Sequence, residues 1–543
     1  MALLVDLFGY LGILLHGLVI VSQSMALGGA GFLVLLRRWP QAIGPDQIKR
    51  VQRMALLSAL ALALVELISV AMQSAVLIST VGLSLGDVLA ANFALCGLAK
   101  AVAAAGLAVA LVRGMGTRVL SVFGIAILIA AIFTTHAAAR LDHNSILLAA
   151  AFLHQSGATI WIGAIPSFVL TLPSLSPQGL RVVGAGFSRM SMAGVAAIVI
   201  SGVTMSFFYI GSWEAAYGTA YGVMVGAKVA MFLMLMGLGY ANFRVTERLR
   251  HDPTTPILRL RRFAEVEIGI GFTIFFCAAS LTSVPPGADL PQDRVSWSEI
   301  VARDFTLVPP RFSSPDHDKL SLPALQKQLD AEAAAKQAAP LPAFIEGSGD
   351  IASRNADDIA WSEYNHHWAG IFVITIGLLA LLQRAGVGIA RHWPLVFLGL
   401  AGFLLIRSDP EVWPLGQIGL IESLRDVEVL QHRAFALLVV IFGVFEWSVR
   451  VGWLKSRAAA YVFPLICAFG GALLLTHTHA IANLKDQLLI ELTHTPLALA
   501  AVVAGWARWL ELRLPGRVAR VCAVVWPVCF VFIGVLLVLY REA

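Results

Sequence analysis

The chain has 543 residues, 58% of them hydrophobic and only 13% charged, with mean hydropathy +0.80. A soluble domain carries about 25% charged residues, so an ordinary soluble protein is excluded. The net charge of +6 does not point to nucleic acid, because the basic residues gather in a few loops.

Apolar runs of about 20 residues, the length a helix needs to cross the hydrocarbon core, recur along the whole sequence. They are continuous rather than alternating, which favours an all-α polytopic membrane bundle over a barrel. The start "MALLVDLFGY" has no basic region before its apolar run and is read as the first spanning helix, not a signal peptide. Fourteen transmembrane helices are expected, at about 11–36, 51–76, 88–112, 118–136, 146–172, 187–210, 221–242, 264–284, 366–384, 392–407, 432–451, 459–476, 494–512 and 519–540. Arg37, Arg38, Lys49, Arg50 and Arg53 follow the first span, and Arg244, Arg248, Arg250, Arg259, Arg261 and Arg262 follow the seventh. Arg450, Lys455 and Arg457, then Arg508, Arg513, Arg517 and Arg520, fill later alternate loops. The positive-inside rule makes these loops cytoplasmic. Both termini then lie outside, which for a bacterial inner (plasma) membrane is the periplasm.

Residues 285–365 carry mixed charge, a Pro-rich start "VPPGADLPQD" and a helix-forming stretch "LQKQLDAEAAAKQAAP". The expected division is an eight-helix membrane domain over 1–285, a periplasmic linker with a short helix over 286–362, and a six-helix membrane domain over 363–543. The five cysteines lie scattered in apolar runs with no CxxC, as small core residues rather than a disulfide framework.

Glu66, Lys100 and Lys228 are expected well inside spans two, three and seven, where ionisable residues rarely face lipid. Glu66 can pair with either lysine, as a structural lock or as part of an ion or proton path. Met205 and Met224 lie near the outer level of Lys228, as core packing or as soft ligands along the same path.

The histidines are uneven: eleven of thirteen fall on the expected outer side. His16, His154, His366, His367, His432, His477, His479 and His494 are the candidate metal ligands, since neutral imidazole is the commonest one. The alternative is that histidine, half apolar and half polar, simply tolerates an interface. Three carboxylates strengthen the pattern, for Glu363 precedes His367 by four residues, Glu428 precedes His432 by four and Glu491 precedes His494 by three. At those spacings two side chains share a helix face, and Glu-x-x-His in a bundle is a known metal arrangement. Acidic residues also suit helix N-termini, as caps and dipole partners. In "THTHAIANLKDQLLIELTHTP", the His-x-His pair with a nearby carboxylate suits Cu(II) or Zn(II).

The first half resembles the copper resistance protein D (CopD) family of bacterial inner-membrane proteins. The motifs that carry it are "LLHGLVIVSQSMALGG" with His16, "FLHQSGATIWIGAI" with His154 and Trp161, "FSRMSMAGVAAIVISGV", and "AYGVMVGAKVAMFLMLMGLGYANFR" with Lys228. They cover roughly residues 5–285, and the second half looks like the C-terminal extension of longer members. The resemblance implies copper moved from the periplasm into or across the membrane, beside a small periplasmic copper carrier protein. It makes His16 and His154 the leading outer-side copper ligands, provided the first and fifth spans are neighbours. No nucleotide-binding or phosphorylation motif is present, so transport would be passive or ion-coupled. A second reading is a b-type haem electron-transfer protein or cupric reductase, because histidines on facing spans can ligate haem b.

Overall fold

A backbone in lipid must satisfy its own polar groups, and this chain does so with helices. Among the described residues there is no strand, only one isolated bridge between Val412 and Ile418. The computed structural model describes residues 2–39, 44–252, 254–306, 308–316, 356–409, 412–416, 418–424, 427–476 and 484–542.

Twelve of its helices are long and apolar enough to cross a membrane. Thr117–Ile132 and Ala459–Leu474, at the fourth and twelfth expected spans, are shorter apolar helices. Gly114 and Gly116 bound the first of these, and the chain turns again at Thr134 and Thr135. The fourteen expected spans are therefore twelve full-length helices and two short ones. The expected linker helix lies outside the described residues.

The helices form two units. The first holds α1 (Ala2–Leu36), α2 (Pro45–Val81), α3 (Leu85–Ala90), α4 (Asn92–Val112), α5 (Thr117–Ile132), α6 (His136–Ala139), α7 (Asn144–Trp161), α8 (Ile165–Thr171), α9 (Pro177–Tyr209), α10 (Trp213–Gly218), α11 (Ala220–His251) and α12 (Leu258–Leu281). Local signals set many ends. Pro45 opens α2 and Gly82 closes it in the left-handed region at φ 72°. Thr219 caps α11 by accepting from the Gly222 N–H at 3.1 Å, and Arg248 and Arg250 sit in its last turn, where cations suit the dipole.

Helix α1 is the hub of this unit, packing on α2, α5, α7, α8, α9 and α12. The closest approach is to the turn after α7. A methyl on Gly28 would stand 2.2 Å from the Gly163 carbonyl carbon, and one on Gly163 would stand 2.0 Å from the Ser24 carbonyl oxygen. Only hydrogen fits at either position, as in other membrane interfaces built from small residues. Large apolar side chains such as Val102, Val203 and Phe207 point outward, as lipid contact requires.

The second unit holds α13 (Trp297–Ile300), α14 (Ala356–Arg384), α15 (Val396–Arg407), α16 (Leu420–Ser423), α17 (Val427–Arg450), α18 (Val462–Leu474), α19 (Leu484–Arg513) and α20 (Gly516–Val538). Here α20 packs between α14 and α19, and α18 packs on α19. One end of its core is an aromatic stack of Trp393, Phe463 and Trp526 around the Arg450 guanidinium, 4.9 Å from the Trp393 ring centre. Glu446 holds Arg450 at 2.6 Å, and Glu511 ties Arg508 at 2.6 Å to Arg384 at 3.2 Å. Buried charges persist only with such partners.

Candidate functional site

Glu66, Lys100, His16, His154 and Lys228 do not scatter through the first unit; they gather at one level of the bundle. Gln23 Nε2 of α1 donates to Gln155 Oε1 of α7 at 3.1 Å, and Gly28 meets Gly163 and Ala164 further on. Numbering rises together, so α1 and α7 are parallel neighbours, the condition the resemblance set. His16 lies eight residues before Ser24, and His154 nine before Gly163, the residue Ser24 touches. At 1.5 Å per residue both lie about 12–14 Å along their helices from that contact, so the two imidazoles share one depth.

They face different neighbours. His16 has Lys100 of α4 as its charged neighbour. Lys100 Nζ in turn donates to both Glu66 oxygens of α2, at 3.1 and 3.2 Å, and both side chains are buried. Of the two lysines open to Glu66, the fold selects Lys100. His154 faces Lys228 of α11, and its Nδ1 is 3.1 Å from Ser201 Oγ of α9. Because Ser201 donates to the Ala197 carbonyl at 2.6 Å, it accepts the Nδ1 proton of His154. That leaves Nε2 with its lone pair, the form in which imidazole binds a metal.

Cys277 of α12 completes the level. Gly17 lies against the ring of Phe276, and Cys277 stands beside Lys228 with Sγ 3.9 Å from the Met224 carbonyl. Met224 is buried among Tyr209, Tyr221 and Leu281, and Met205 packs on the same cluster. A groove lined by Ala150, Leu153, Ile200, Ser201 and Thr204 opens onto Ser201. His136 lies near the α12 C-terminus, and burial pulls its pKa below the usual imidazole value.

In the second unit His366, His367 and His494 converge on Tyr540, while His432 makes a separate contact. His367 is buried; its Nδ1 accepts from the Arg311 N–H at 2.7 Å and its Nε2 lies 2.9 Å from the Tyr540 carbonyl. Glu363, its expected partner, instead sits 3.7 Å from Arg311 and 4.0 Å from Arg541. His366 bonds the Ser362 carbonyl at 2.9 Å and stacks on Tyr540 at 3.9 Å. His494 bonds the Ile490 carbonyl at 2.9 Å, while Glu491 accepts from Thr495 at 3.4 Å. His432 pairs with Asp409 at 2.5 Å. His477, His479 and the Glu428 side chain lie outside the described residues. Among the described residues, no three His, Cys, Asp or Glu side chains are grouped to hold a metal ion.

Several polar residues carry no mark in the sequence. Ser201, Gln23 and Gln155 have no charge to set them apart inside apolar runs. Glu267 of α12 is buried and accepts from Asn242 Nδ2 of α11 at 2.5 Å. Its one signal is an acid within an expected span.

Residues 181–281, from α9 to the end of α12, match the family model described as copper resistance protein D. The chain is also 30% identical over 168 residues to the copper transport protein CutJ of Bacillus subtilis (strain 168). That match covers 30% of this chain and 30% of the relative, so the chain spans about a third of the curated relative's length. No solved structure matches. The α9–α12 segment, which supplies Ser201, Met224, Lys228 and Cys277 to the polar level, is thus the part of the chain similar to the copper resistance protein D family.

Proposed function

We propose that this is a copper-handling protein of the bacterial inner membrane that moves copper from the periplasm inward through the first unit. The observation that carries the reading is that the family-matched segment provides Ser201, 3.1 Å from His154, and Lys228, its charged neighbour, with Cys277 next to Lys228. Copper is cargo here, and a transit site must bind well enough to accept an ion and weakly enough to release it. Sparse soft and imidazole donors at one depth meet both requirements, and His154, His16, Cys277 and the thioethers of Met205 and Met224 supply them. The groove at Ser201 offers a way in.

The finer parts of the reading follow the loop charges and the resemblance. Both termini are periplasmic, a small periplasmic carrier delivers the ion, and residues 1–285 form the transporting domain. Residues 286–362 are a periplasmic linker. The membrane domain of 363–543 adds outer histidines, His366, His367, His432, His477, His479 and His494, with Glu363, Glu428 and Glu491, as a capture surface.

The test is copper accumulation in cells or proteoliposomes. His154→Ala is expected to lower the rate about tenfold or more, the scale on which lost metal-site interactions act. His154→Ala at the wild-type rate would overturn the assignment. The haem alternative, as histidines on facing spans, needs two imidazoles on one iron. His16 stands by α4 and His154 by α9, so the copper reading predicts purified protein without a Soret band. A Soret band with reduced α and β bands would replace it.

A further inference from the structure

We propose that Glu267 and Asn242 form a buried proton-binding site whose proton exchange drives copper movement; the coupling rests on the copper-transport reading above. Glu267 is 4% exposed, in the middle of the bundle. It makes no ion pair among the described residues. Every nearby charge is otherwise engaged. On α12 itself Arg261 and Arg262 are held by Glu265, at 3.7 and 2.5 Å. On α11 Arg244 donates to Tyr240 at 3.1 Å. The segments α8 and Ile162–Ala164 contain no ionisable residue, and those of α1 are Asp6, Tyr10 and His16, toward its other end. A carboxylate so buried and uncompensated costs more than the neutral acid.

Asn242 points the same way. Its Nδ2 donates to Glu267 Oε1 at 2.5 Å, yet its buried Oδ1 has no partner. A buried acceptor left unmade costs about 1–3 kcal/mol. A protonated Glu267 supplies the missing donor: Oε2–H bonds Oδ1, and amide and acid close a reciprocal pair. The neutral acid therefore satisfies both side chains, and the ionised form satisfies neither.

The site also has a route. Cys277 is ten residues from Glu267 on α12, about 15 Å, and Leu258 is nine residues the other way, about 14 Å. Thr273 lies between Glu267 and Cys277, and Gln23, Gln155 and Thr159 follow the histidine level on α1 and α7. Thr159 Oγ1 and Ser167 Oγ are buried without partners, places where internal water can bond. In each cycle the Glu267 O–H bond breaks and the proton passes to water beyond Leu258. A proton arriving from the histidine level re-forms the bond. The copper ion is neither oxidised nor reduced.

The experiment uses the full chain in proteoliposomes with an imposed pH gradient and copper outside. Glu267→Gln keeps the shape and the Asn242 bond. It is expected to lower gradient-driven accumulation about tenfold or more, the range of an allosteric coupling, while copper still equilibrates down its own gradient. Infrared spectra should show a protonated-carboxyl band in wild type that Glu267→Gln removes and Glu267→Asp shifts. Undiminished pH-driven accumulation in Glu267→Gln, or an unchanged infrared band, overturns the proposal. Wild type that moves no copper under either gradient overturns the transport reading and the coupling with it, and the infrared band then decides the proton site by itself.

Discussion

Lys100→Met is expected to destabilise the protein by about 3–5 kcal/mol, the cost of leaving one member of a buried ion pair alone. The wild-type ammonium bonds both Glu66 oxygens at 3.1 and 3.2 Å, and the two side chains are 4% and 9% exposed. Methionine keeps the length and removes the charge, so the Glu66 carboxylate must take a proton or draw in water. Glu66→Gln with Lys100→Met replaces the pair by neutral groups of similar volume and should recover most of the loss. Thermal unfolding of purified protein in detergent, followed by tryptophan fluorescence, reads both variants against wild type. If Lys100→Met unfolds with wild type, the pair is solvated and the argument fails. His16, whose charged neighbour is Lys100, should lose copper-dependent function alongside.

The second large effect belongs to a single methyl group. Gly28→Ala places a carbon 2.2 Å from the Gly163 carbonyl carbon and 2.5 Å from the Ala164 nitrogen. These are backbone atoms that cannot rotate away, so α1 and α7 must separate. Overpacking of this kind costs about 1–3 kcal/mol, and it shifts His16 relative to His154 as well. Gly31→Ala, three residues on, meets nothing within 4 Å. It gains helix propensity of about 1 kcal/mol. The same unfolding measurement should therefore move in opposite directions for two glycines on one helix. Equal behaviour would show that the α1–α7 contact is not tight.

Much of this architecture was legible in the sequence, and the exceptions have physical causes. Apolar run length placed every long helix, because lipid imposes it. The same reasoning overstated α5 and α18, whose ends are set by glycines and turns that a hydropathy window averages over. Glu66 and Lys100 announced themselves as charges in apolar runs, but sequence left Lys228 as an equal partner; only the packing of α2 on α4 decides between them. Glu267 escaped notice because the eighth span was expected to begin at 264, which put the acid in its first turn. The helix begins at Leu258, nine residues earlier than Glu267, and the acid is interior. The Glu–His spacings imply shared helix faces. They could not reveal that Arg311, Arg541 and the Tyr540 carbonyl, distant in sequence, engage Glu363 and His367.

The central position of α1 has a consequence for how the protein is made. Its partner α7 begins 108 residues after α1 ends, at Asn144 against Leu36. At about 5–20 residues per second, the ribosome needs roughly 5–20 s to cover that distance. Throughout this interval Gln23 and Ser24 lack the α7 surface that later encloses them, and the bare Gly28 notch stays open. A nascent helix with such a stripe partitions poorly into lipid alone. The hub must be held at the insertion site, or shielded by another membrane factor, until its late neighbours emerge.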